Sequence, residues 1–166
     1  MKRLTFVIGI ALTSLVVVGQ ELPESNQKVL DFVDEHYGER VGSGVCFDLV
    51  DKALKVIDKR WAKNNHGKYG KLVSVADALP GDIILYKGCI FKDGSKVMSH
   101  VGIVYENKGD GKIVVMDQNR GSGKKELVKV KGRKNKVGVY VDSKVDSETI
   151  DTKDLVKGKI LIYRPY

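Results

Sequence analysis

The spacing of apolar positions changes once along the chain, near residue 70. Before it, apolar residues recur every three or four positions, as one face of a helix requires. Val29, Leu30, Val33 and Tyr37 form such a face, which predicts a helix over 25–37. Ser25 suits its N-cap and Gly38 its C′ position. Cys46, Leu49, Val50, Ala53 and Ile57 predict a second helix over about 45–61, with Asp48, Asp51, Lys52, Lys55 and Lys59 on its wet side. The glycine-bearing stretch Gly42-Ser43-Gly44 leads into it, so Cys46 falls in the first turn at the edge of the buried face.

After a loop over 64–70 the pattern turns to short apolar runs and alternation, the mark of strands. Strands are predicted at 83–86, from 97 or 99 to 105, and at 113–119, then near 126–130, 137–141 and 159–163. Pro80-Gly81-Asp82 opens the first, a glycine-rich turn at 107–112 joins the second to the third, and Gly121-Ser122-Gly123 is read as a flexible loop. Helices first and strands afterwards indicate an α+β fold, with N-terminal helices packed on an antiparallel sheet of about five to six strands. No internal repeat or low-complexity tract interrupts it.

The first residues follow neither period. Lys2 and Arg3 precede an apolar run from Leu4 to Val18, and Val17 and Gly19 offer small residues for cleavage. This is expected to be a secretory signal peptide over 1–19, followed by a single domain over 20–166. The run is short for a spanning helix. We therefore expect a secreted or periplasmic protein with no stable membrane insertion once the leader is removed.

Composition refines this picture only modestly. The chain has 166 residues, 42% of them hydrophobic and 30% charged, enough to bury a core without staples. Two cysteines cannot make a disulfide framework. The net charge is +8, and loss of Lys2 and Arg3 with the leader lowers it by two. A basic exported protein suits anionic polymers. The lysines are scattered, so nucleic acid is not expected as a partner. The densest basic stretch, Lys124 to Lys136, is read as a solvated hairpin or loop.

Three polar elements in chain order carry the candidate chemistry. A thiol attacks a carbonyl only as thiolate, and the free amides of a helix N-terminus stabilise that anion. Cys46 is placed for this, and the same amides could hold a developing oxyanion. Two alternatives stay open for it: a buried structural cysteine, or a disulfide to Cys89. His100 opens the strand Ser99 to Tyr105, where alternation puts it on one face with Gly102 and Val104. Gly102 leaves room beside the imidazole for a helix or a substrate. Asp117 and Asn119 share a face at the end of the next strand, with Gln118 pointing the other way. A polar residue there can bond the second imidazole nitrogen. His36, near a helix end, and His66, in a loop, have bland readings. No CxxC or HExxH spacing and no phosphate-binding glycine motif occurs, so neither metal nor cofactor is expected.

Four segments resemble, in order, motifs of the NlpC-type and CHAP superfamily of papain-like cysteine, histidine-dependent amidohydrolases and peptidases, and a closing segment is similar in character to that superfamily's last strand. They are Gly44 to Val50 around the cysteine, Leu79 to Ile84 with its Pro-Gly-Asp turn, Ser99 to Val104, Val115 to Asn119, and the closing Ile162-Tyr163-Arg164-Pro165. The resemblance covers residues 32–166. It implies a papain-like fold, with Cys46 as nucleophile, His100 as general base, and Asp117 at the position of the acidic orienting residue. Asn119 stands where the superfamily has a further polar residue, and Pro80, Gly81 and Asp82 become structural. Two departures bear on substrate choice: Arg120 replaces a common aromatic residue, and Val45 a frequent glutamine. The implied activity is amide hydrolysis without a cofactor, in peptidoglycan, by a monomer. A catalytically idle wall- or protein-binding domain, with Cys46 tied to Cys89, and a secreted toxin acting on another amide are the alternatives.

Overall fold

The computed structural model describes residues 21–61, 69–120, 124–129 and 136–166. The expected leader, His66 and the Gly121-Ser122-Gly123 loop lie outside the described residues.

Two helices come first. α1 spans Glu24–Glu35 and buries Asn26, Val29, Leu30 and Val33. It begins one residue before the predicted Ser25 cap, because Pro23 takes the cap position and Ser25 Oγ instead donates to Pro165 O at 3.0 Å. Tyr37 lies beyond the helix end and is exposed, so it does not extend the buried stripe. α2 spans Cys46–Lys55, shorter than predicted, and buries Leu49, Val50, Ala53 and Leu54.

The strands are β1 (Lys71–Val73), β2 (Ile83–Phe91), β3 (Lys96–Gly109), β4 (Lys112–Asp117), β5 (Lys125–Val128), β6 (Val137–Tyr140), β7 (Asp146–Asp151) and β8 (Leu155–Arg164). Six of them form one sheet in the order β1-β8-β2-β3-β4-β7, every pair antiparallel. β5 and β6 pair only with each other, as a separate hairpin. The fold is α+β, two helices on a six-stranded antiparallel sheet, as the order of periodicities predicts. β1 carries no readable pattern because it is only three residues long, and β7 none because five of its six side chains are polar.

Two apolar clusters hold the layers together. Val29, Val33, Leu49, Val50 and Ala53 from the helices meet Ile83, Val101, Ile103 and Met116 on one sheet face. Ile84, Tyr86, Val104, Val115 and Ile162 form the core of the other face. Both Ile83 and Ile84 are buried, so β2 is covered on two sides and lacks a clean alternation.

The Pro80-Gly81-Asp82 turn is structural, and its role is specific. Asp82 is fully buried and accepts from Asn26 Nδ2, Leu79 N and the Arg164 guanidinium at 2.8 to 3.1 Å. It therefore joins α1, the entry to β2 and the end of β8. Gly81 has φ +84°, and a Cβ there would stand 2.4 Å from Asn26 O.

Candidate active site

The start of α2 is gripped from several sides. Asp48 Oδ2 accepts from Ser43 N and Ser43 Oγ, both at 2.6 Å. Tyr140 N donates to Ser43 O at 2.8 Å, and Ser143 Oγ to Gly44 O at 2.8 Å. Gln118 Nε2 donates to Val41 O at 2.9 Å and Val45 O at 2.7 Å, while its Oε1 accepts from Val41 N at 3.1 Å. Gly44 adopts φ +85°, and any Cβ on it would lie 2.6 Å from Tyr140 O. This clamp aims the first helical residue, Cys46, at the sheet. Val45 provides no side-chain cap, so the first amides of α2 are left for the site.

His100 and Asp117 come from neighbouring strands. Ile103 pairs with Met116, which brings Gly102 opposite Asp117. A Cβ on Gly102 would lie 2.6 Å from Val115 Cγ1, 3.0 Å from Met116 O and 3.1 Å from Asp117 Cβ. The room that Gly102 makes is thus taken by β4, not by a helix or a substrate as the sequence suggested. The close approach seats Asp117 against His100. His100 Nε2 is 3.0 Å from Asp117 Oδ2, with both side chains about 6% exposed. The oxygen lies out of line with the ring N–H, so the contact is an ion pair more than an aligned hydrogen bond.

The electrostatics of the pair follow from this placement. Burial pushes the Cys46 thiol up, but the neighbouring His100 imidazole and the backbone amides of Val101 and Phe47 outweigh it. The thiol therefore ionises below its ordinary range. Burial pushes His100 down, but the polar contacts and charges of Asp117 and Cys46 outweigh that and raise it to about 9. Each shift has the other group among its causes, so the two describe one coupled thiolate–imidazolium pair. Tyr69 lies close enough for the Cys46 charge to act on it; burial first, then Cys46 and Tyr163, raise its phenol.

The remaining expected residues divide. Asn119 stands at φ +60°, and its buried Oδ1 has no hydrogen-bond partner among the described residues. It lines a cleft of about 510 Å³ with Asp117, Arg120, Ser143, Lys144 and Glu148. Asp117, not Asn119, is the residue seen against the imidazole. His36 Nδ1 lies 2.8 Å from Phe32 O at the end of α1, in keeping with its bland reading. Cys46 and Cys89 are both free thiols, which removes the disulfide alternative. An irregularity in the register at Gly88 puts Cys89 in the second cluster, where its Sγ donates to Lys159 O at 3.3 Å.

Gln118 and Arg120 were not anticipated as parts of this arrangement. Gln118 carried a usable signal, since its face is opposite to Asp117 and that face is where the helices pack. Arg120 binds Asp117 through Nε at 2.8 Å and through Nη2, and pairs with Glu148 through Nη1.

A thiol at a helix start, an imidazole and a carboxylate brought together over an antiparallel sheet define a cysteine-proteinase-fold domain. The chain belongs to the AIM3/BBC1 cysteine proteinase-fold domain family, whose match runs over residues 23–166. No curated protein matches the chain.

Proposed function

We propose that this domain is a cysteine hydrolase that cleaves an amide bond through Cys46, His100 and Asp117. The observation that carries the reading is the buried His100–Asp117 pair, with the Cys46 thiol at the start of α2 near enough for the imidazole to act on it. In the proposed cycle, Cys46 thiolate adds to the amide carbonyl, and the first amides of α2 hold the oxyanion. Collapse breaks the C–N bond, and His100 gives its proton to the leaving amine. His100 then takes a proton from water, the hydroxide adds to the thioester, and the thiolate leaves with the acid product. Asp117 holds the imidazole.

The finer reading is an exported enzyme of the NlpC-type and CHAP kind acting on peptidoglycan. The ordered motifs, the apolar run at residues 4–18 and the net charge of +8 support it. Digestion of purified peptidoglycan tests it, with new amine or carboxyl ends expected from the parent chain and none from Cys46→Ala. A chain with a reactive Cys46 that leaves peptidoglycan intact acts on another amide.

A further inference from the structure

Asp117 serves two cations through one oxygen. This inference rests on the hydrolase reading above and adds a residue to it. Arg120 Nε reaches Asp117 Oδ2 at 2.8 Å, Nη2 reaches it as well, and His100 Nε2 stands 3.0 Å from the same atom. The guanidinium fork takes the well-aligned directions, and the imidazole keeps the charge contact without the alignment. On its other side Arg120 pairs with Glu148 through Nη1. Nη2 also lies 3.4 Å from the hydroxyl of Tyr86, which is buried and faces His100 across the strand pair. The guanidinium is only 20% exposed, so water screens these charges weakly.

We propose that Arg120 is a positioning residue: it fixes the Asp117 carboxylate beside His100 and divides that carboxylate between itself and the imidazole, with Glu148 setting how firmly it holds. Several groups face the imidazole: Cys46 from α2, Tyr86 from β2, Asp117 from β4 and Arg120 just beyond it. Glu148, on β7, acts on it through Arg120. Without Arg120, buried Asp117 has His100 as its cation and holds the imidazolium more tightly. Without the Glu148 charge, Arg120 binds Asp117 harder and the imidazolium is held more loosely. The two substitutions therefore act in opposite directions, which a guanidinium that merely fills space would not produce.

The test follows the His100 ring by NMR across pH in the full chain carrying Cys46→Ala, where the imidazole titrates without its thiol partner. Arg120→Met is expected to raise the midpoint by about one unit. Arg120→Lys should return most of that shift, and Glu148→Gln should lower the midpoint. An unchanged or lowered midpoint in Arg120→Met, or a Glu148→Gln shift of the same sign as it, overturns the proposal. Should Arg120→Met fail to fold, Glu148→Gln decides alone, since Glu148 is 46% exposed and its replacement disturbs no core. Failure of the hydrolase reading would show separately, as alkylation of Cys46 in the parent chain that ignores His100.

Discussion

Cys46 matters because of what surrounds its sulfur. A half-buried thiol alone would ionise late, and the imidazole and two backbone amides reverse that tendency. The sign for His100 is opposite: its value of about 9 exceeds the ordinary 6.5, so its contribution to stability is complete below about 6.5 and lost as pH rises through 9. The thiolate–imidazolium pair is accordingly populated above the lowered thiol range and disappears above about pH 9. Hydrolysis should show an alkaline limb there. Asp117→Asn removes the carboxylate that lifts His100, and its limb should move to lower pH in a pH–rate profile. A limb that stays in place would mean Asp117 does not act on the imidazole. At this scale residue types and their order were legible, since His100 and Asp117 meet across β3 and β4 and Cys46 opens α2. The sequence marked Arg120 only as a departure bearing on substrate choice, because nothing in a string of residues says that its guanidinium folds back on an acid three positions earlier.

At the scale of elements, the site depends on two fits that leave little slack. Gly102 lets β3 and β4 approach closely, and Gly102→Ala would drive a methyl against Val115 and the Met116 carbonyl. We expect a loss of about 1–3 kcal/mol in urea unfolding, with slower Cys46 alkylation because Asp117 and His100 separate. Gln118 fixes the loop before α2 through three hydrogen bonds. Gln118→Ala should cost about 1–3 kcal/mol by leaving buried Val41 groups unpaired, and should also slow alkylation as the start of α2 loosens. Stability loss with unchanged alkylation would separate that loop from the site. α1, α2 and the long apolar strands were legible from period and turn residues. The ends of α2 and the existence of β1 and β7 were not, since packing and pairing partners, not local pattern, decide them. Nor does alternation reveal that β5 and β6 stand apart from the main sheet, as both have ordinary strand composition.

Across the whole molecule, Asp82 links the first helix, the turn into β2 and the last strand. Arg164 is its ion partner, and Asn26 and the Leu79 amide complete its bonds. Asp82→Ala leaves the Leu79 amide and the partly exposed Arg164 guanidinium without their acceptor and should destabilise the fold by roughly 1–3 kcal/mol, read as a lower urea midpoint; a change within experimental error would refute this role. The α+β class and the antiparallel sheet were readable from helices preceding strands, and the Pro-Gly-Asp turn from its residue types. The joining of residues 26, 82 and 164 was not, because it is a contact between the two ends of the domain. Both ends must close for β8 to lie beside β2 and leave β3 and β4 under the start of α2.

The measurement closest to the central claim is iodoacetamide alkylation of the protein across pH, with Cys46 and Cys89 resolved by peptide mass spectrometry. Cys46 should react rapidly well below the free-thiol pKa of about 8.5, His100→Ala should abolish that behaviour, and buried Cys89 should stay slow. Ordinary thiol reactivity at Cys46, or reactivity indifferent to His100, would contradict the thiolate–imidazolium pair and the hydrolase built on it.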